Sequence, residues 1–299
     1  HDARLKTIRA LRIPLFMKLK ISRYAPLVLG AMVMLFPLWW MTTISLETAA
    51  RAGAATAGGK VTLWPSDPQW SNYTDALKEF GSTPWVGFLD ALANSIVVTV
   101  LVVIGQVLSC SLVGYAFARI RFRGSKVLFG LMLTTMMLPP QVTMIPLFLF
   151  FRSLGWVDTL LPLVVPAFFG NAFYIFMFRQ FFASVPEALI EAARIDGCGH
   201  FRIWWSLMLP MCKPVIAICA IFTFLFTWND FMGPLIYLHS EESSTLAVAL
   251  NSFRNQYGGL DDVHLLMAAS IVTMIPCVLL FFSAQKHFVE GLGKGAVKG

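Results

Sequence analysis

The chain has 299 residues, of which 57% are hydrophobic and only 13% charged, with a mean hydropathy of +0.70. A water-soluble domain cannot hide that much apolar surface, which leaves a bilayer as the natural solvent. In a soluble protein the net charge of +7 would point to nucleic acid; clustered beside apolar spans, it points instead to cytoplasmic loops and anionic headgroups, so nucleic acid is excluded as a partner. His1 in place of Met reads as a truncated start, and no segment has the order of a cleavable signal peptide.

The first segment, residues 1–23, carries ARLKTIRALRIPLFMKLK, which is basic and amphipathic. Two readings stand side by side for it: a helix lying on the inner membrane surface, or an unstructured lead-in. Tyr24 to Leu46 is the first charge-free window long enough to cross a bilayer, which takes about 20 residues. An outer loop follows over 47–90, flexible at RAGAATAGGK and then WPSDPQWSNYTDAL, whose Pro, Trp and Tyr fit a small element packed at the membrane interface. Further spans are expected at Ala91 to Ala118, Val127 to Phe151, Thr159 to Phe178 (carried to 182 as a helix) and Val263 to Gln285. The window Pro214 to Asn229 is short, so the fifth span is read as 213–238 with Asp230 inside it, and residues 287–299 form a tail. LPPQVTMIP at 138–146, Pro162, Pro166, Gly170-Asn171 and Gly233-Pro234 predict kinked spans, which a bilayer tolerates where protein or a water-filled cavity satisfies the backbone. Such kinks occur in transporters and channels, and prolines are also frequent in membrane helices generally.

Six spans put both termini on one side, and Lys and Arg decide which. With the N-terminus inside, inner segments hold the seven basic residues before Tyr24, then Arg119, Arg121, Arg123, Lys126, Arg179, Arg194, Arg202, Lys213 and the three lysines after residue 285. Only Arg51, Lys60, Lys78, Arg152 and Arg254 fall outside, so 18 of 23 are inside. The expected architecture is an all-α integral membrane protein with six transmembrane helices, N-in and C-in.

That orientation places EALIEAARIDGCGHFRIWWSLMLP, within the hairpin 184–210, in the cytoplasm. Ser184, Pro186 and Glu187 read as an N-terminal cap, and Gly197 as the left-handed stop. Glu187, Glu191 and Arg194 share one face, with Ala188, Ala192 and Ile195 on a smooth face beside it. Asp196 opposes the helix dipole and should have a compensating partner. A second amphipathic, aromatic helix then leads to Pro210. On these grounds alone, an inner-surface loop helix and a docking site for a cytoplasmic partner are both open.

Glu191-Ala192-Ala193, Asp196-Gly197, Leu207 and Leu209-Pro210 resemble the EAA signature of membrane subunits of binding-protein-dependent ABC importers. NSIVVT at 94–99, GYAFAR at 114–119, the LPPQ…IP kink, WND at 228–230 and FVEGL…GAVKG extend the likeness over roughly residues 60–299, closest in character to carbohydrate permeases of the maltose type. Cys198 stands where the family has a small Ala, and Leu207 where Ile is common. The resemblance implies that the hairpin is a coupling helix seated in a cytoplasmic ATPase through Glu187, Glu191, Ala192, Ala193, Asp196, Gly197, Leu207 and Pro210. Glu191 would then pair with a basic ATPase residue, Gly197 permit the sharp turn and Pro210 end the second helix. It further implies a homologous second permease, an ATPase dimer that binds ATP and Mg, an extracytoplasmic solute-binding protein, a carbohydrate cargo and surrounding membrane lipid.

No chemistry of the chain's own is expected. There is no GxxxxGK[ST], GxSxG or HExxH, and the five cysteines form no CxxC pair, so no cofactor, metal or catalytic residue is assigned. Cys110, Cys198, Cys212, Cys219 and Cys277 read as reduced packing residues, and the scattered histidines as non-chemical. Asp230 is the notable membrane carboxylate, either structural or beside the pathway. Asn94, Gln141, Asn171, Trp228 and Asn229, with Gln106, are the polar and aromatic candidates to line a sugar route. A self-contained ion-coupled transporter is the rival, but it needs buried coupling carboxylates and usually an internal repeat, and one such carboxylate and no clear repeat are visible.

Overall fold

The computed structural model describes the backbone of residues 2–59, 63–82, 87–240, 242–257 and 262–296, and the side chains of 24–59, 63–78, 87–240, 242–255 and 262–283. Among the described residues all regular structure is helical. The side chains of the N-terminal basic segment and of the tail lie outside that set, as do Lys60, Glu241 and Asp261. Two compact units divide the chain, one of His1–Ala76 with Gln256–Ile271, the other of Leu77–Asn255 with Val272–Gly299.

The first unit begins with α1 (Asp2–Ser45), so the basic segment continues the first span as one helix. After α1 come α2 (Ala49–Thr56) and the start of α3 (Ser71–Ser82). The C-terminus of α1 leaves carbonyls without helical partners. Asn72 satisfies two of the carbonyls there, donating from Nδ2 to Ser45 O and Glu47 O, both at 2.9 Å. Gln69 N–H donates to Leu46 O (2.8 Å), and Tyr73 OH meets Ser45 Oγ (2.9 Å). The WPSDPQWSNYTDAL segment is thus folded back on the end of α1. Ile44, Ala52 and Val263 form the small apolar core of this unit, with Trp40, Ala55 and Met267 packed on it.

The second unit is built around α4 (Phe88–Arg119). Along the chain follow α5 (Ser125–Thr135), α6 (Pro140–Ser153), the single turn α7 (Leu161–Val164), a 3-10 turn over Val165–Phe169, and α8 (Ala172–Ser184). The hairpin contributes α9 (Glu187–Ile195), α10 (His200–Ile203), a π turn (Trp204–Met208) and α11 (Leu209–Met211). Then come α12 (Lys213–Trp228), α13 (Met232–Tyr237) and α14 (Leu246–Tyr257), while α15 (Val263–Ala296) belongs to the first unit as far as Ile271 and to the second from Val272. α4 packs most extensively on α8 and α12. A glycine notch admits α8, since a Cβ at Gly114 would lie 2.7 Å from Phe178 Cβ, and a second admits the 3-10 turn, since one at Gly105 would lie 2.9 Å from the Phe168 ring.

Among the described residues four stretches are long and apolar enough to cross a bilayer: Tyr24–Ser45, Phe88–Arg119, Leu161–Ser184 and Val263–Ser283. Two bent pairs raise the number to as many as six. The expected span Val127 to Phe151 is one of these pairs: α5 and α6 meet at 99°, because Pro139 and Pro140 stop one helix and start the next. The fourth span unwinds at Gly170, whose φ of +87° suits glycine. The expected helix 213–238 stops at Trp228 and restarts at Met232, so Asn229 and Asp230 sit in a break.

Candidate functional site

At the end of α8 the Ser184 hydroxyl donates back to Phe181 O (2.7 Å). Ser184 therefore closes α8 and does not cap the next helix, a correction to the sequence reading. Pro186 is the cap residue of α9, in extended backbone and without a side-chain bond, and Glu187 stands in the first turn, where the helix dipole favours an acid. The stop is a complete Schellman closure: Cys198 N–H donates to Ala193 O and Gly197 N–H to Arg194 O, both at 2.9 Å, with Gly197 at φ +77°. Cys198 and Ala193 both pack on the neighbouring core, which explains why the residue after Gly197 must be small and apolar.

The return arm bends at Cys212, where it meets α12 at 80°. Pro210 lies inside this arm, which runs on to Met211, so it does not end the second helix. Lacking an N–H, Pro210 cannot donate to Ser206 O; just upstream the helix widens, with Leu209 N–H reaching Trp204 O in π spacing. Ile190, Ile203, Trp204 and Met208 are buried with Tyr115, Phe178 and Phe182 in one core, and Leu207 is half-buried against it. The outward face is Glu187, Ala188, Glu191, Ala192, Arg194, Asp196 and Gly197, with Ile195 86% and Phe201 68% exposed. Among the described residues none of Glu187, Glu191, Arg194 and Asp196 has a side-chain hydrogen bond or ion pair within the chain. The compensating partner expected for Asp196 is therefore not found among the described residues.

The last turn of α4 grips both arms. Arg119 donates from Nε and Nη2 to Phe182 O (2.9 and 2.5 Å), and from Nη2 to Val185 O. A guanidinium thus satisfies carbonyls at the C-terminus of α8, just before the hairpin. Tyr115 OH meets His200 Nδ1 at 3.3 Å on the other arm. The sequence reading treated GYAFAR as a likeness and gave neither side chain a task.

Farther along α4 lies a cavity of about 620 Å³ between α4, the 3-10 turn, α8, α12 and α13. Of the residues expected on a pathway, Gln106, Asn171, Trp228 and Asp230 line it. Asn94 instead donates to Glu242 O and Ser244 O (2.8 and 3.0 Å), and Asn229 to Leu225 O (2.8 Å). Gln141 sits exposed in the first turn of α6, away from the cavity lining. Asp230 Oδ1 accepts from Gly233 N–H (3.1 Å), and a Cβ at Gly233 would lie 2.5 Å from Oδ2, so a side chain there would push the carboxylate aside. The sequence reading missed Ser95, Tyr174, Thr223, Thr227 and Thr245 on the same wall. They were hidden because a hydroxyl barely interrupts an apolar window. Thr245 Oγ1 is buried there without a hydrogen-bond partner.

A second set of contacts went unread. Asp158, at φ +64°, accepts on Oδ1 from Ser240 N–H (2.6 Å), His239 N–H (2.8 Å) and Ser243 Oγ (3.1 Å), while its own N–H donates to Tyr237 O (2.7 Å). The Ser240 and His239 amides lower its carboxyl to about 2. No group of His, Cys, Asp and Glu among the described residues could hold a metal ion, and Cys110, Cys198, Cys212, Cys219 and Cys277 are free thiols.

Bent apolar spans, an outward hairpin whose acids have no hydrogen bond or ion pair among the described residues, and a largely apolar cavity with inward polar groups define an integral membrane transport subunit. Residues 110–294 match the family described as binding-protein-dependent transport system inner membrane component, and the chain belongs to that family. It is 32% identical over 269 residues to the arabinooligosaccharides transport system permease protein AraQ of Bacillus subtilis (strain 168), covering 90% of this chain and 92% of that protein. The sn-glycerol-3-phosphate transport system permease protein UgpE of Yersinia pestis is 31% identical, with 89% and 93% covered. A solved bacterial ABC transporter involved in the import of the acidic polysaccharide alginate superposes with a TM-score of 0.77 at 27% identity, covering 91% of this chain and 97% of that one. The chain is thus an ABC-transporter permease of the bacterial inner membrane.

Proposed function

We propose that the chain forms one half of the translocation pathway of an ATP-driven carbohydrate importer, inserted N-in and C-in. Its partners are a homologous second permease, a cytoplasmic ATPase dimer and an extracytoplasmic solute-binding protein. ATP and Mg bind to the ATPase, and this chain performs no bond chemistry and holds no cofactor of its own. The observation that carries the reading is the hairpin's outward face: Glu191, Arg194 and Asp196 with no side-chain hydrogen bond or ion pair among the described residues, and an Ile195 that is 86% exposed, on a core continuous with α4 and α8. Exposed charges and apolar side chains at a hairpin tip fit the cleft of a partner, with Glu191 facing its basic groups and Ala192 allowing close approach.

The cargo is a sugar, oligosaccharide or sugar-like polyol. Hydroxyls of Ser95, Thr227 and Thr245, the amides of Gln106 and Asn171, the Asp230 carboxylate and the rings of Phe173, Tyr174 and Trp228 surround one cavity. Aromatic faces stack on the C–H faces of sugar rings while convergent polar groups take their hydroxyls. The relatives named for arabinooligosaccharides and for glycerol phosphate support the same class. Co-purification of the ATPase with wild-type chain, its loss in the Glu191→Lys plus Gly197→Pro double variant, and loss of sugar uptake in that variant are the expected results. Uptake that persists in the variant, or a wild-type chain that brings down no ATPase, would refute the reading.

A further inference from the structure

A second groove, of about 560 Å³, lies between the loop joining α4 to α5 and the start of α9, and no step of the transport reading uses it. Arg121, Arg123, Ser125 and Glu187 supply its polar lining, with Arg119 committed to the Phe182 and Val185 carbonyls behind them. Arg121, Arg123 and Glu187 are exposed, and among the described residues none has a hydrogen bond or ion pair within the chain. Gly124, at φ +82°, turns the loop so that side chains on both sides of it reach the same groove.

The other wall is apolar, made by Phe117, Ala118, Ile120 and Phe122. Beside it the first turns of α5 expose Val127 (67%), Leu128 (52%) and Leu131 (58%). Two guanidiniums and a hydroxyl, one carboxylate and an apolar wall therefore meet at the end of a membrane-spanning helix, with the exposed apolar residues of α5 next along the chain. We infer that this groove binds the headgroup of an aminophospholipid. Its phosphate lies against Arg121, Arg123 and the Ser125 hydroxyl, its ammonium against Glu187, and its glycerol and acyl chains along Phe122 and the exposed face of α5. Guanidinium forks match phosphate oxygens, and basic pockets at span ends take lipid headgroups. An acidic protein segment would satisfy the arginines but leave Glu187 repelled and the apolar wall uncovered.

The inference rests on the chain spanning a bilayer and not on ATPase docking, so the two readings fail separately. The test is lipid binding to the full-length chain, purified with its co-purifying subunits and followed by native mass spectrometry. The probes are dioleoyl phosphatidylethanolamine, phosphatidylglycerol and phosphatidylcholine. Wild type should hold phosphatidylethanolamine most tightly, since a quaternary ammonium cannot donate to Glu187 and glycerol carries no cation. Arg121→Gln with Arg123→Gln should weaken it about 25-fold, roughly fivefold per guanidinium at the ~1 kcal/mol a basic side chain contributes near a membrane surface. Arg121→Lys with Arg123→Lys should restore most of the loss, and Glu187→Gln should abolish the preference over phosphatidylglycerol. Equal affinity for all three lipids, or unchanged binding in the double Gln variant, would overturn the proposal. So would loss of a co-purifying subunit from that variant with lipid binding intact, which would make the groove a protein contact.

Discussion

The hairpin of residues 187–211 and the 620 Å³ cavity hang on the same helix but are built in opposite ways. α4 lines the cavity with Ser95, Val98, Val102 and Gln106, and holds the hairpin with Tyr115 and Arg119. From Ser95 to Arg119 it extends roughly 36 Å at about 1.5 Å per residue. At the hairpin, backbone amides close on carbonyls, Cys198 to Ala193 and Gly197 to Arg194, and the Arg119 guanidinium donates to the Phe182 and Val185 carbonyls. At the cavity, Asn171 and Asp230 stand at breaks in α-helix, and Thr245 Oγ1 is buried with no partner. Each end keeps a buried polar atom without a partner, Trp204 Nε1 in the hairpin and Thr245 Oγ1 at the cavity, so the difference lies in the backbone: closed by a Schellman stop at one end, interrupted at Asn171 and Asp230 at the other. Helix breaks lining a cavity are where alternative backbone partners cost least.

Breaking the shared element should have the largest effect. Gly114→Val puts a branched side chain where even a Cβ would lie 2.7 Å from Phe178 Cβ and 3.1 Å from Arg179 N. α4 and α8 must then separate, at a cost of about 3 kcal/mol. The expected outcome, read by fluorescence-detected size exclusion with heating, is loss of the folded peak and of both functions together. A variant that stays folded and transports would show that α4 and α8 need not touch. Arg119→Ala comes next. It strands the Phe182 and Val185 carbonyls and removes charge-assisted bonds worth about 2 kcal/mol. Substrate should still bind the cavity while sugar taken up per ATP hydrolysed falls, and Arg119→Lys should recover part of it. Equal loss of binding and coupling would erase the distinction between the two ends.

The two regions also differ in how much of them was written in the local sequence. The hairpin is short-range: Gly197 marks its own left-handed position, and alanines and acids within two turns mark the outward face. The errors there were local too. Ser184 looked like a cap because Glu187 follows it three positions on, but Pro186 is the cap residue and the Ser184 hydroxyl turns back to Phe181. Pro210 looked like a stop, but π spacing upstream absorbs its missing donor. The cavity is long-range, joining Ser95 to Thr245 and Asn171 to Asp230 across four helices. Asn94 and Asn229 have the same chemistry as Asn171, yet each bonds a nearby backbone carbonyl. Only packing decides which amide is left facing the space. The apolar stretches were legible from charge-free windows, four of them as long helices and two as bent pairs, whereas the 99° bend at Pro139-Pro140 depends on how α5 and α6 settle after the break.

Gly197→Ala sharpens the comparison at one atom. No neighbour lies within 4 Å of the added Cβ, so the cost is the left-handed backbone alone, about 1 kcal/mol. The fold should survive with little change in melting temperature, while ATPase co-purification weakens because the Schellman stop loosens. A large fall in thermal stability would mean that the hairpin stop supports the core and not only the docking face.

The smallest expected effect lies at Asp158, a third arrangement that is neither hairpin nor cavity. Its carboxylate collects two amides and a hydroxyl from residues 239–243, tying the loop before α7 to the end of α13. Those amides hold its carboxyl at about 2, below the ordinary 3.8. A depressed folded-state value means the bonds stabilise fully above the ordinary carboxylate range and are lost as pH falls through about 2. Amide hydrogen exchange at His239 and Ser240, corrected for intrinsic rate, should therefore be unchanged from pH 7 to pH 5 and accelerate only between pH 4 and 2. Asp158→Asn keeps an acceptor and a residue tolerant of φ +64°, so part of the protection should remain. Asp158→Ala keeps neither and should lose it at every pH. Because the side chain is exposed, the melting temperature should barely move in either variant. Protection that survives Asp158→Ala would assign the 239–243 turn to its own Ser240 and Ser243 bonds instead.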